Sequence, residues 1–327
     1  METDEKIKFL KQNYSNTIFS AFEETFPFSA DKPISLLHYT SINNVENIIS
    51  SKQIWMTESR FCNDRSELEE AKELFVHKVR NFMGTAPKNW KPVLKRVADR
   101  VDKTISDVFL FCLSEPTEMA VPADNLIQWR AYASDGNGVA IAFEPDCLIN
   151  SLNASNSIYG SAPLLGKVVY NKKIKIEAIE HILNEAIGKT PPPSSDQECN
   201  AVAQLLLYNF RSLIPFFKNE HFESENEWRI ILPRSQALDE SMRDATHTRD
   251  SDRGSIVFIK AHLNTCIYKD NLAGITKDNY PLPILKLTLA PAQSRDTAAH
   301  YLRHILERAG FTEAFEMITE SEIPYRG

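Results

Sequence analysis

With 327 residues, 43% of them apolar, the chain can bury a sizeable core and has the composition of an ordinary globular protein. Its 37 Lys and Arg against 44 Asp and Glu leave a net charge of −7, which excludes a global basic field; a nucleic-acid partner would need a local patch. Five scattered cysteines without a CxxC pair argue against a disulfide frame or thiolate zinc site. With no basic region ahead of an apolar core at the N-terminus and no run of membrane-spanning length, the expected location is the cytoplasm, with no membrane partner.

Residues 3–28 carry Ile7, Leu10, Tyr14, Ile18, Phe22 and Phe26 at helical spacing up to Pro27, which predicts an amphipathic helix or helix pair. A strand is predicted over 34–39, a helix over 42–51 with Val45, Ile48 and Ile49 on one face, and a strand over 54–57. Asp64 is placed to cap a helix running to about Phe82, and Pro87 opens another to about Ser106 with Trp90, Val93, Leu94, Val97, Val101 and Ile105 as its apolar stripe. Lys91, Lys95, Arg96, Arg100 and Lys103 lie mainly off that stripe and form the best local basic patch; the interleaved Asp99 and Asp102 favour a solvated helix face.

Further along, strands are expected at 108–114, 139–143 and 168–170, with a helix over 124–134 between the first two. Helices follow over 175–187 and, after Pro191–Ser195, up to about Phe217. Residues 235–254 are polar and without apolar period, the pattern of a flexible loop or lid. Strands at 256–259 and 284–289, a helix over 296–309 and a strand at 315–318 close the chain. The expected class is α+β, a mixed, mostly antiparallel sheet with many surrounding helices. The expected division is an N-terminal helical segment, 1–33, and a single α+β domain, 34–327, with helical insertions at about 64–107 and 174–218.

The chemistry concentrates at Glu225-Asn226-Glu227-Trp228-Arg229-Ile230-Ile231-Leu232. On a strand, Glu225, Glu227 and Arg229 would point one way, roughly 7 Å apart in succession, and Trp228, Ile230 and Leu232 the other. Such a charged face is either a site wall or a solvated face with an internal Glu/Arg ion pair. No Walker loop, GxGxxG, GxSxG or HExxH occurs. His300 and His304 have helical spacing for a shared metal, but Leu302, Ile305 and Leu306 around them favour packing. Other polar groups gather at element ends: His38-Tyr39-Thr40, Asn63-Asp64 and Ser114-Glu115, with the pair Trp129 and Tyr132 on one helix.

Taken in order, Leu37–Ser41, Phe61–Asp64 with Glu67, Phe111–Glu115, Trp129–Ala133 with Gly138, Glu225–Arg229 and Ser321–Arg326 resemble the successive blocks of the bacterial family called domain of unknown function 2971. Two departures stand out: Arg130-Ala131, where a polar, often His-like residue is usual before the Tyr, and Leu289-Ala290-Pro291, where a glycine is more usual before the proline.

A His-Tyr strand followed by a distal Glu-x-Glu strand is also similar to the plan of ADP-ribosyltransferases, which would imply a split-sheet core and NAD as cofactor. By that resemblance Glu227 would stabilise positive charge on the nicotinamide ribose, Glu225 would align or deprotonate the acceptor, and His38 would hydrogen-bond the ribose region. Tyr39, with Thr40 beside it, Trp129 or Tyr132 would stack on the nucleotide bases, and Arg229, Arg60 or Arg326 would hold the pyrophosphate. The implied chain is a toxin or phage-defence effector that binds a nucleotide ligand, modifies a protein or nucleic-acid acceptor, and answers to an antitoxin or sensor partner. Two alternatives stand beside it: a non-catalytic nucleotide-binding or interaction module, and a metal-dependent nuclease using Asp64, Glu115, Glu225 and Glu227.

Overall fold

The structure is a computed structural model. It describes residues 17–62, 65–104, 108–116, 125–155, 162–233, 246–251, 254–264, 266–267, 279–292 and 295–324. In chain order the elements are β1 (Leu36–Thr40), α1 (Ile42–Ser51), β2 (Gln53–Glu58), α2 (Arg65–Thr85), α3 (Lys91–Thr104) and β3 (Val108–Ser114). There follow α4 (Leu126–Tyr132), β4 (Val139–Phe143), α5 (Pro145–Ser155), β5 (Leu164–Lys167), α6 (Lys172–Lys189) and α7 (Asp196–Leu213). The last part holds β6 (Glu227–Pro233), β7 (Thr246–Ser251), β8 (Gly254–His262), β9 (Cys266–Ile267), β10 (Asn279–Tyr280), β11 (Ile284–Leu289), α8 (Arg295–Ala309) and β12 (Ile318–Glu320). The class is α+β with a mixed, mostly antiparallel sheet.

Backbone contacts divide the chain into two compact units. The first gathers Met1–Ala30, Glu58–Phe109 and Gly166–Glu223, and the stretches read as helical insertions lie inside it. Here α3 buries Val93, Leu94, Val97 and Val101, Trp90 is buried in the turn just before it, and α3 packs on α7; Ile105, the last residue of the expected stripe, lies outside the described residues. Arg96 pairs with Asp196, and Arg100 donates to Asn200 Oδ1 at 2.6 Å, so two cations of the basic helix face are tied to α7. The helix starts are chemically marked: Asn171 Oδ1 accepts from Lys173 N at 2.8 Å, and Ser195 Oγ from Glu198 N at 3.1 Å. Glu198 in turn accepts from Ser194 N at 2.6 Å, a variant of the capping box.

The second unit comprises Asp31–Thr57, Leu110–Leu165 and Ser224–Gly327. Its sheet runs β12-β11-β4-β1-β3-β2-β8-β7, with β6 bonded to β3 and β5 off that path. β1 and β4 are antiparallel, with His38 opposite Ile141 and Tyr39 opposite Ala140, and β11 and β12 are parallel. α4 packs on β1, and Leu37, Tyr39, Trp129, Ala133, Ala140, Ala142 and Ala290 share one buried cluster. The alanines leave room for the two rings, Tyr39 and Trp129, which meet edge-on at 4.7 Å and 84°.

Four expectations are corrected. Of the loop expected over 235–254, residues 246–251 and 254 are strand: β7 and β8 pair antiparallel with Ser251 opposite Gly254, and residues 235–245, 252 and 253 lie outside the described residues. The exposed outer strand, β7, has no apolar period because neither of its faces is buried. The strand expected at 168–170 lies earlier, at β5, and Val169 makes only an isolated bridge to Phe217. The last strand begins at Ile318 instead of Phe315, which is 72% exposed. The helix over 124–134 is shorter, since Asn125 Oδ1 caps it by accepting from Ile127 N at 3.0 Å. Asp64 and its capping role lie outside the described residues, as does most of the helix predicted over 3–28.

Gly138 sits at a close backbone approach in this unit. A Cβ there would stand 2.2 Å from Thr40 O and 2.7 Å from Ala133 Cβ. Gly138→Ala is expected to cost about 1–3 kcal/mol by forcing β1, β4 and the end of α4 apart. A urea denaturation midpoint unchanged from that of the parent would contradict the packing described.

Candidate functional site

The site is built where the end of β3 meets the start of β6. Glu115 N donates to Asn226 O at 2.9 Å, and Asn226 Nδ2 donates to Glu115 O at 3.3 Å. Trp228 Nε1 then donates to Glu115 Oε2 at 3.0 Å. Asn226 has a φ of +43°, a left-handed conformation that Asn tolerates better than most residues. The N-terminus of α4 closes the other side: Asn125 Nδ2 donates to Ser224 O at 3.3 Å and Gln128 Nε2 to Glu225 O at 3.4 Å.

That left-handed residue corrects the expected Glu-x-Glu strand. Glu225 ends a 3-10 turn, Glu220–Glu225, and β6 starts only at Glu227. Glu225 is half-buried off the strand, so it does not continue the row of Glu227 and Arg229. The expected open polar face is corrected too, because every residue of β6 is buried. Glu227 and Arg229 are 4% and 8% exposed. They close on each other as a fork, Nε to Oε1 at 2.6 Å and Nη2 to Oε2 at 2.9 Å. Since Trp228 reaches Glu115, alternation points the pair to the other face of β6.

His38 sits half-buried on β1, its ring stacked on Phe111 at 4.5 Å and 29°. Its Nδ1 lies 3.1 Å from Cys112 O, a contact that requires the Nδ1–H tautomer and leaves the lone pair on Nε2. Burial holds its pKa down to about 4, against an opposing pull from the Cys112 carbonyl, so the ring is neutral at pH 7. Its hydrogen bond goes to Cys112, not to Glu227 or Arg229.

Tyr39 points to the opposite face of β1, where it and Trp129 are buried against each other at 5% and 0% exposure. The two rings expected to stack on a ligand are therefore packed into the core. Thr40 is buried as well, its Oγ1 accepting from Asn44 Nδ2 at 2.9 Å. Tyr132 is 41% exposed at the end of α4. Arg60, in the first unit, pairs with the buried Glu58. Arg326 and Tyr325 lie outside the described residues.

Asn125, Gln128 and Asn226 escaped the sequence reading. The available signal was an Asn between two glutamates, a residue type that breaks strands by visiting positive φ. Among the described residues no group of three or more His, Cys, Asp or Glu side chains is placed to hold a metal ion. His300 and His304 are both exposed on α8. Among those residues, too, no helix is long and apolar enough to cross a membrane.

The stretch from Gln128 on α4 to Ile230 on β6 contains the β6 side of this junction, but neither Glu115 at the end of β3 nor Asn125 at the start of α4. Residues 128–230 match the family described as a protein of unknown function (DUF2971). The DUF2971 match includes the Trp129–Ala133, Gly138 and Glu225–Arg229 blocks, and it bears out the family resemblance over that stretch. The blocks around His38, Phe61, Phe111 and Ser321 fall outside its span. No curated protein and no solved structure matches the chain.

Two outcomes follow, one for the buried pair on β6 and one for His38 on β1. Arg229→Ala strands a buried carboxylate and should cost about 3–5 kcal/mol, whereas the paired change Glu227→Leu with Arg229→Met should recover most of it. Chemical denaturation of the parent and the three variants checks this; equal losses in Arg229→Ala and the double variant would remove the buried pair. For His38, above pH 6.5 the folded and unfolded chains are both neutral at this residue. Below that the unfolded chain takes up a proton that the folded chain refuses until about pH 4. Stability should therefore fall as pH drops through this window, and His38→Gln should flatten that component in denaturation curves recorded at pH 7.5 and 5.

Proposed function

We propose that this chain is an NAD-using transferase of the ADP-ribosyltransferase type, with Glu227 at its chemical centre. The observation that carries the reading is the Glu227–Arg229 fork, buried at the start of β6. An apolar pair would hold a buried strand at least as well as an ion pair, so charge retained there is explained more simply by use than by stability. The carboxylate is fixed by its partner and by a fully buried strand, the preorganisation that electrostatic catalysis needs.

In this reading the C–N bond between nicotinamide and ribose breaks, and nicotinamide leaves with the electron pair. Glu227 stabilises the positive charge that develops on the ribose carbon. The acceptor forms the new bond to that carbon and gives its proton to Glu225, which sits on a turn beside the strand. Neutral His38 offers Nε2 as an acceptor for a ribose hydroxyl. The acceptor is a protein or nucleic acid, in a toxin or phage-defence setting governed by an antitoxin or sensor.

A second reading, a nucleotide-binding or interaction module without turnover, is favoured by one observation. Tyr39 and Trp129 fill the core instead of facing a ligand, which removes two of the aromatic groups a catalytic cleft would use. Incubation with labelled NAD and cell lysate separates the readings. Nicotinamide release that drops about 100-fold in Glu227→Gln supports the transferase. Thermal stabilisation by NAD with all of it recovered intact supports the module, and neither turnover nor stabilisation removes both.

A further inference from the structure

The sheet face at β2, β8 and β7 carries a pattern that neither reading uses. Trp55 is 38% exposed, and its ring stacks on Phe258 at 4.4 Å and 24°. The Arg249 guanidinium carbon lies 5.7 Å from the Trp55 ring centre and 5.9 Å from that of Phe258. Lys260 Nζ lies 6.0 Å from the Trp55 ring, and the His247 ring 5.5 Å from that of Phe258.

Register explains the gathering. Trp55 is opposite Lys260, His247 is opposite Phe258, and Arg249 is opposite Ile256. Alternation therefore puts all of these side chains on one face, while Ile54, Met56, Ile259 and Ala261 are buried on the other. The two acidic residues of these strands, Glu58 and Asp250, fall on the opposite parity in the same register. In a chain of net charge −7, this face holds cations and an exposed indole with no carboxylate contributed by its own three strands.

We propose that this face binds single-stranded nucleic acid, with Trp55 stacking on a base and Arg249 and Lys260 contacting flanking phosphates. A sheet face with an aromatic platform between cations suits unpaired bases, whose ring faces are open; a duplex hides them. An acidic peptide would use the cations and leave the indole idle. RNA and DNA share this chemistry, and the binding holds whether or not the chain uses NAD.

The test is fluorescence anisotropy of the full chain against labelled oligo-rU and oligo-dT of about twelve nucleotides, with a duplex of the same length and polyglutamate as a competitor. The expected result is saturable binding of at least one single strand, tighter than the duplex, that weakens about tenfold in Trp55→Ala. In Arg249→Gln with Lys260→Gln, the slope of log K against log salt should become shallower by about 1.4, the value for two phosphates on a single strand. Circular dichroism checks the fold of each variant. The exposed Arg249 keeps the test valid if Trp55→Ala does not fold. Preference for rU over dT, or equal binding of both, supports the proposal and names the ligand. It is overturned by no binding of either strand, by duplex binding as tight as single-strand binding, by complete displacement by polyglutamate with no effect of Trp55→Ala, or by an unchanged salt slope in the double variant.

Discussion

The end of β3 and the start of β6 are held by a small polar clasp, and the candidate chemistry depends on it. Glu115 and Asn226 exchange backbone and side-chain hydrogen bonds, and Trp228 anchors the Glu115 carboxylate. β3 also bonds β1 and β2, so one buried strand sets the positions of His38 on β1 and of Glu227 on β6. A strand with this many neighbours must be satisfied along both edges, which accounts for the dense apolar run from Val108 to Leu113.

Two polar groups in this frame are held against the preference of a buried interior. Glu227 and Arg229 share a fully buried strand because each satisfies the other. His38 is kept neutral by burial and oriented by the Cys112 carbonyl. The physical costs differ: the pair is penalised by desolvation of two charges, whereas the imidazole avoids that penalty by giving up its proton. The aromatic residues have the opposite fate. Tyr39 and Trp129 look like ligand-stacking groups in the sequence, but α4 lies on β1, and the small residues Ala133, Ala140 and Ala142 draw the two rings inward.

The local patterns that are legible in the chain are those dictated by nearest neighbours. Ile42–Ser51, Val108–Ser114, Val139–Phe143 and Ile284–Leu289 form where their period and caps place them. The i to i+2 spacing of Glu227 and Arg229 was enough to anticipate their ion pair. The break at Asn226 was not legible, because strand alternation assumes extended backbone and a single left-handed residue removes Glu225 from the row.

The basic patch shows the same boundary most clearly. Composition and charge determined that any nucleic-acid contact would have to be local, and helical spacing singled out the face of α3. Two cations of that face are tied to Asp196 and Asn200 on α7, partners a hundred residues away. The patch with an exposed ring instead joins Trp55 to Arg249 and Lys260, about twice as distant in the chain, through the register of β2, β8 and β7. Sequence by itself determined most of the elements, the net charge and the family stretch. Only the tertiary structure decided which charges meet, because strand register and helix packing, not chain proximity, choose the neighbours of a side chain.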